Sequence, residues 1–331
     1  MCTCNPIIKG IREASGSDAL WFVSSTTYPA YTAGATHAIG PASSLTSCVM
    51  LLSAMPDQLG ALVDRNGYIT QLFTIPGGFG LITTPQLSAW NGSSRAWFWT
   101  DCVLGGTYAA VYAYNTSGTL ILNTTASSVP RNRFAVCCNS SGRLVFVSGT
   151  SLQIRNDTFG LVASAFSANA TTYSYGDTVC VDSSDNVFVT TTTYIRKYDS
   201  SLSPLWTVSL PMLHLACVAD SSGAVYVFSN DSGAGKIRKY NSSGTLQWTV
   251  TLSGAFDSAA SNGRFDVWCD GTNIYFIGTL DSSFVRLKYD GSGTLAWSET
   301  VWWQADNLSV GRMTMRGDGS VLALGGFEIP I

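Results

Sequence analysis

The feature that most constrains this chain is a set of strand-sized segments that returns along it at nearly even intervals. Lys197-Tyr198-Asp199 followed by Leu205-Trp206 comes back as Lys239-Tyr240-Asn241-Ser242-Ser243-Gly244-Thr245-Leu246-Gln247-Trp248. It comes back again as Lys288-Tyr289-Asp290-Gly291-Ser292-Gly293-Thr294-Leu295-Ala296-Trp297. In all three the Asp or Asn precedes the Trp by seven residues. Weaker copies are Tyr114-Asn115-Thr116-Ser117-Gly118-Thr119-Leu120, Ile154-Arg155-Asn156 and Leu62-Val63-Asp64-Arg65-Asn66-Gly67. With Val63, Tyr114, Arg155, Tyr198, Tyr240 and Tyr289 as markers, the steps are 51, 41, 43, 42 and 49 residues.

A second signature precedes the first in each unit. Val179 to Val189 is an apolar strand, a turn and another apolar strand, and its counterparts are Val136 to Val147, Cys217 to Val227, Val267 to Ile277 and Met313 to Leu324. The Asp/Asn-Ser-Ser-Gly tetrads between the strands tolerate positive φ and bond their own backbone, so each reads as a hairpin turn. Together the signatures give four short strands per unit of about 45 residues, the arithmetic of a propeller blade. The fold class expected is all-β, a β-propeller of about seven four-stranded blades forming one domain over residues 1–331. The final unit ends at Ile331 before its third and fourth strands, so the N-terminal region, near Ile7 to Arg12, is expected to supply closing strands and leave no open edge. Residues 1–47 are poorly periodic, and Asp18 to Ser47 reads as a loop or a partial blade.

The spaced Asp/Asn, Gly and Trp, as in Asn241, Gly244 and Trp248 and in Asp290, Gly293 and Trp297, resemble the repeat of the quinoprotein-type (PQQ-like) propeller superfamily. The resemblance covers the middle and C-terminal thirds well and the first hundred residues poorly. It implies that Trp206, Trp248 and Trp297 pack between blades, with Tyr198, Tyr240 and Tyr289 as their companions in the repeat. It implies nothing about activity, because such propellers host enzymes, assembly scaffolds and adhesins alike.

Charged residues make up only 12% of the chain, about half the usual share, and Ser, Thr, Asn and Gly supply the polarity instead. A net charge of -3 offers no electrostatic case for nucleic acid. No apolar run reaches the roughly 18 residues of a spanning helix, so no membrane insertion is expected. Met1-Cys2-Thr3-Cys4-Asn5-Pro6 does not read as a secretory signal.

Five of the nine cysteines (Cys137, Cys138, Cys180, Cys217 and Cys269) fall in the first strand of successive units, where they alternate with Val and Trp. That is the behaviour of a small core residue. No Cys-x-x-Cys pair exists, and His37 and His214 have no ligand-spaced partner, so neither a metal nor a cofactor is expected. Cys2 and Cys4 stand apart, with a redox or metal role as the alternative to none. Nine Asn-x-Ser/Thr triplets occur, and turns written Asn-Ser-Ser-Gly generate such triplets by composition alone.

No catalytic residue is assigned. A quinoprotein's base and calcium cluster cannot be placed residue by residue, and Asp182, Asp220, Asp270 and Asp318 read as turn carboxylates. Arg316-Gly317-Asp318 falls on a repeat turn that geometry explains. The binding candidates are Trp302, Trp303 and Gln304, which follow a fourth strand in the connection to the next blade. Exposed Trp there favours stacking on sugars or anchoring a protein; the alternative is packing against neighbouring blades. In Trp97-Phe98-Trp99 successive rings point to opposite faces of a strand, so at least one is core.

The leading expectation for function is a non-enzymatic virion component, a bacteriophage tail, fibre or capsid-associated propeller. Its partners would be other virion or scaffold proteins, with a surface glycan as a further partner. Free thiols together with a low-charge Ser/Thr/Asn/Gly surface fit a protein assembled in a reducing cytosol and working outside the cell. The alternatives are a cellular or secreted scaffold or adhesin and, behind it, a quinone-dependent or glycan-processing enzyme.

Overall fold

Strand-forming Val, Ile, Tyr, Phe and Thr in runs broken by Asx-Ser-Gly turns fold as short antiparallel hairpins. The structure, a computed structural model, describes strand backbones between Gly10 and Phe327, and most turns and side chains between Ala113 and Thr300. Outside the described residues lie the connections before residue 113, segments 127–133, 149–150, 167–177, 211–212 and 257–264, and everything after 300 apart from two strand backbones.

The strands form seven four-stranded sheets. Sheet I takes Ala38–Ile39, Ser47–Ser53, Gln58–Asp64 and Ile69–Ile75; sheet II takes Pro85–Trp90, Ala96–Asp101, Ala109–Tyr114 and Leu120–Ala126. Sheet III takes Phe134–Cys138, Leu144–Ser148, Ser151–Arg155 and Leu161–Phe166; sheet IV takes Thr178–Val181, Val187–Thr190, Tyr194–Tyr198 and Pro204–Ser209. Sheet V takes Leu213–Ala219, Val225–Asp231, Ala234–Tyr240 and Leu246–Thr251; sheet VI takes Phe265–Cys269, Asn273–Leu280, Ser283–Asp290 and Leu295–Thr300. All six are antiparallel meanders in chain order.

Sheet VII joins the two ends of the chain in the order Gly10–Ile11, Leu20–Ser24, Val321–Phe327, Leu308–Met315. The strand beside the C-terminal pair is therefore Leu20–Ser24, drawn from the poorly periodic region, and the strand within Ile7 to Arg12 lies outside it. Leu20 pairs with Val321 and Ser24 with Gly325 in parallel, unlike the antiparallel step of the other sheets. Leu20-Trp21-Phe22-Val23 is the stronger β-forming run, whereas Lys9 and Gly10 weaken the earlier segment. The chain divides into two compact units, one of Met1–Ala126 with Gln304–Ile331 (sheets I, II and VII) and one of Ser127–Trp303 (sheets III to VI).

In the second unit the core lies between successive sheets. Val145, Val147, Leu152 and Ile154 of sheet III pack against Val179, Val187, Val189 and Leu202 of sheet IV. Cys180, Phe188 and Ile195 of sheet IV meet Cys217, Val225 and Val227 of sheet V. Tyr226, Phe228 and Ile237 of sheet V meet Ile274, Phe276 and Leu287 of sheet VI. The second strands of sheets IV and V, Val187–Thr190 and Val225–Asp231, are buried on both faces, which is why they read as continuous apolar runs.

Apart from the tighter turn at Asp270, whose carboxylate accepts from the amides of Thr272 and Asn273, the Asx turns share one construction. The leading Asx side chain accepts from the amides two and four residues on: Asn241 Oδ1 from Ser243 at 3.1 Å and Thr245 at 2.9 Å, Asp290 Oδ1 from Ser292 and Thr294 at 2.9 Å each. The residue three places on takes positive φ, +84° at Gly244 and +87° at Gly293. Asn241→Ala removes that acceptor and is expected to destabilise the protein by about 1 kcal/mol. Asn241→Asp should be nearly neutral, because Asp199 and Asp290 hold the same place. Urea midpoints of the two variants test this.

Candidate functional site

The repeat Trp side chains are held by the turn of the following sheet. Trp206 Nε1 donates to Ser242 O at 2.9 Å, and Trp248 Nε1 donates to Gly291 O at 3.2 Å. A Cβ on Gly244 would come within 2.8 Å of the Trp206 ring, and one on Gly293 within 3.0 Å of the Trp248 ring. Gly is thus required twice at these positions, for positive φ and for the ring above it. At the junction of sheets III and IV the sizes are exchanged. Ala163 occupies the Trp place, and Leu202, at φ +68°, fills the space against it. A left-handed Leu costs on the order of 1 kcal/mol of strain, offset by burial of its side chain. Trp297 is half-buried with the Arg286 guanidinium 5.6 Å from its ring centre, and Arg286 also pairs with Glu299. Arg286 stands where sheets IV and V carry Ile195 and Ile237. Tyr198, Tyr240 and Tyr289 end the third strands and are buried.

The Lys before each Tyr fixes the same end of the sheet. Lys197 Nζ lies 3.2 Å from Asp182 Oδ2, with the two side chains only 4% and 2% exposed, and it reaches Gly223 O of sheet V at 3.4 Å. Lys239 Nζ lies 3.7 Å from Asp220 Oδ2 and donates to Gly291 O of sheet VI at 3.0 Å. Each ammonium also sits over an aromatic ring of its own sheet, Phe188 at 4.8 Å, Tyr226 at 5.0 Å and, for Lys288, Tyr275 at 5.1 Å. A buried pair of this kind gives orientation more than net stability.

The turn carboxylates are committed to their own hairpins. Burial raises the Asp220 pKa, but donors from the Ser222 hydroxyl, the Ala224 amide, the Tyr226 hydroxyl and the Ser222 amide outweigh it and hold the group below its usual range. Asp270 behaves alike: burial is opposed by Asn273, Thr272 and Tyr275. Burial pushes the Tyr226 hydroxyl up, and its bond to Asp220 adds to this. Asp231 is held at about 2, first by the Lys236 ammonium and then by Ser232. Such acceptor-saturated carboxylates are poor general bases near neutral pH. Among the described residues no group of three or more His, Cys, Asp or Glu side chains could hold a metal ion, and no helix is long and apolar enough to cross a membrane.

Trp302, Trp303 and Gln304, and with them Asp318, Cys2 and Cys4, lie outside the described residues. Trp97, Phe98 and Trp99 lie on the second strand of sheet II. What the sequence reading missed is a row of exposed leucines. Leu161, Leu246 and Leu295 begin the outer strands of sheets III, V and VI and are 55%, 48% and 47% exposed, and Leu205, second in the outer strand of sheet IV, is 53% exposed. Leu161 pairs with Arg155, Leu246 with Tyr240 and Leu295 with Tyr289, each beside a bulge, so these three keep one register; in sheet IV Pro204 takes that place opposite Tyr198, and Leu205 is the bulge residue after it. Its sequence signal was the apolar residue five places after the turn Asx, or six at Leu205, which strand periodicity alone assigns to the core.

Two outcomes are expected. Trp206→Ala and Gly244→Leu should each destabilise by about 2–3 kcal/mol, while the pair together recreates the Ala163–Leu202 arrangement and recovers at least about 1 kcal/mol, as a double-mutant cycle in urea would read. Stability should be full above about pH 5 and fall as the pH drops through the lowered values of Asp199, Asp220, Asp270 and Asp290, because the unfolded chain, with carboxylates near 3.9, then binds more protons. Asp220→Asn should flatten that slope in urea titrations between pH 6 and 2.

No protein-family model matches the chain, and no curated protein matches its sequence. Solved structures do match it. A streptogramin B lyase shares 10% identity at a TM-score of 0.60, covering 88% of this chain and 90% of its own. The WD40 domain of coronin from Toxoplasma gondii shares 12% identity at a TM-score of 0.56, covering 86% of this chain and 74% of its own. The Dos1 propeller shares 11% identity at a TM-score of 0.55, covering 82% of this chain and 73% of its own. Likeness at this identity establishes architecture alone, and the fold is of the β-propeller type.

Proposed function

We propose that the chain is a non-enzymatic protein-docking platform, one seven-bladed propeller whose last blade is built from both chain ends, carried as a structural or attachment component of a virus particle such as a phage tail or fibre. The observation that carries the docking role is the set of exposed leucines on successive outer strands, Leu161, Leu246 and Leu295 at one register and Leu205 one residue along from it. Isolated exposed leucines are ordinary on protein surfaces, but repetition at one register offers a partner a ladder of equivalent apolar contacts. The carboxylates around that end are tied into turns and ion pairs, which suits a rigid support. The virion setting is supported by the low share of charged residues and by free thiols at Cys137, Cys180, Cys217 and Cys269. Trp302, Trp303 and Gln304 are proposed as a second contact, for a protein or a surface glycan.

Mass spectrometry of density-gradient fractions from the source culture tests the setting. The chain should band with particles at a fixed ratio to their coat protein; recovery only with soluble or cell-envelope material would overturn the virion reading in favour of a cellular scaffold. The variant Leu246→Ser/Leu295→Ser, which leaves the core untouched, should keep its melting temperature and lose at least tenfold in incorporation. Unchanged incorporation would remove the leucine row from the docking surface.

A further inference from the structure

The first strands of sheets III to VI pack so that one residue of each sheet faces a fixed residue of the next. Counted back from the turn Asx, the residue two places before it faces the following sheet, and the residue three places before it faces the preceding one. The facing pairs are Cys137 with Val179 at the junction of sheets III and IV, Cys180 with Cys217 at IV and V, and Val218 with Val267 at V and VI. Only the middle junction carries a cysteine from both sides. Both thiols are buried, at 8% and 7% exposure, in one cluster between the two sheets, and after burial itself the neighbouring Cys217 side chain pushes the Cys180 thiol up further. The Thr178 hydroxyl holds Cys217 Sγ at 3.1 Å, which fixes the thiol toward its partner.

We propose that Cys180 and Cys217 form a disulfide that staples sheet IV to sheet V when the folded protein meets a peroxide. One thiol gives up its proton and its sulfur attacks a peroxide oxygen; the O–O bond breaks, leaving a sulfenic acid and one water. The second sulfur then displaces the sulfenic oxygen, the S–S bond forms, and a second water leaves with the remaining proton. Two thiols are oxidised and one peroxide is reduced to two waters. Burial holds the Cys180 thiol protonated at neutral pH, so the reaction is slow and suits a lasting staple rather than a fast sensor. A link between segments this far apart in the chain restricts the unfolded ensemble and so favours the folded state.

The test is oxidation of the folded full chain with hydrogen peroxide, then alkylation in denaturant, digestion without reductant and peptide mass spectrometry. The expected product is a peptide pair joining Cys180 to Cys217, two hydrogens lighter than its parts and separated by dithiothreitol, with a melting temperature raised by several degrees. Cys217→Ser should give no pair, leave Cys180 open to alkylation and show no rise in melting temperature on oxidation. If both thiols of the oxidised wild type are recovered alkylated, or carry only sulfinic acid, or Cys180 pairs with Cys137, the proposal is overturned and the cysteines are core residues alone.

Discussion

The sheet-to-sheet contact in the second unit depends on one exchange of volume: a side chain on the fourth strand of one sheet fills the space above the turn of the next. Trp206 over Gly244 and Trp248 over Gly293 are the large-over-small form. Ala163 against Leu202 is the small-over-large form. Both satisfy the same packing density, and because interiors tolerate neither a void nor an overlap of a methyl group, the two residues must change together. The indole N–H adds direction, since it has one carbonyl within reach and so sets where the next turn sits.

Around this contact the polar groups do a narrower job. Lys197 and Lys239 each bridge a turn carboxylate of their own sheet and a carbonyl of the next. Desolvating such a pair offsets much of its Coulomb attraction, so its main effect is to exclude other registers between sheets. The cation over an aromatic ring supplies a further, softer contact that keeps the ammonium in place. Sheet VI departs from this pattern on its far face, where Arg286 replaces the isoleucine of sheets IV and V and Trp297 lies beneath its guanidinium.

Carboxylates in such a fold invite a catalytic reading, and the turn geometry argues against it for those described. Asp182, Asp199, Asp220 and Asp290 each accept from two backbone amides of their own hairpin, and Asp220 and Asp270 also accept from a tyrosine hydroxyl. Groups so committed are held in place by their own hairpins. At Asp199 and Asp290 the feature that made the repeat visible, an Asx seven residues before a Trp, is also what ties the carboxylate to structure.

The sequence by itself determined the hairpins, their turns and the four-strand unit, because those follow from local rules: apolar alternation, an Asx acceptor, and a residue able to take positive φ three places later. It also led to the expectation that the cysteines of the first strands are core residues, which Cys180 and Cys217 meet and the half-buried Cys137 and Cys269 meet in part. Tertiary structure alone decided that Leu20–Ser24 is the strand beside the C-terminal pair and runs parallel to it, since register between distant segments has no local signal. It decided which apolar residues stay outside: Leu205 and Leu246 have the same local pattern as buried leucines, and only the absence of a further strand beyond the fourth leaves them exposed. It decided that Cys180 faces Cys217 while Cys137 faces a valine, because which face of a strand meets which neighbour depends on how whole sheets stack.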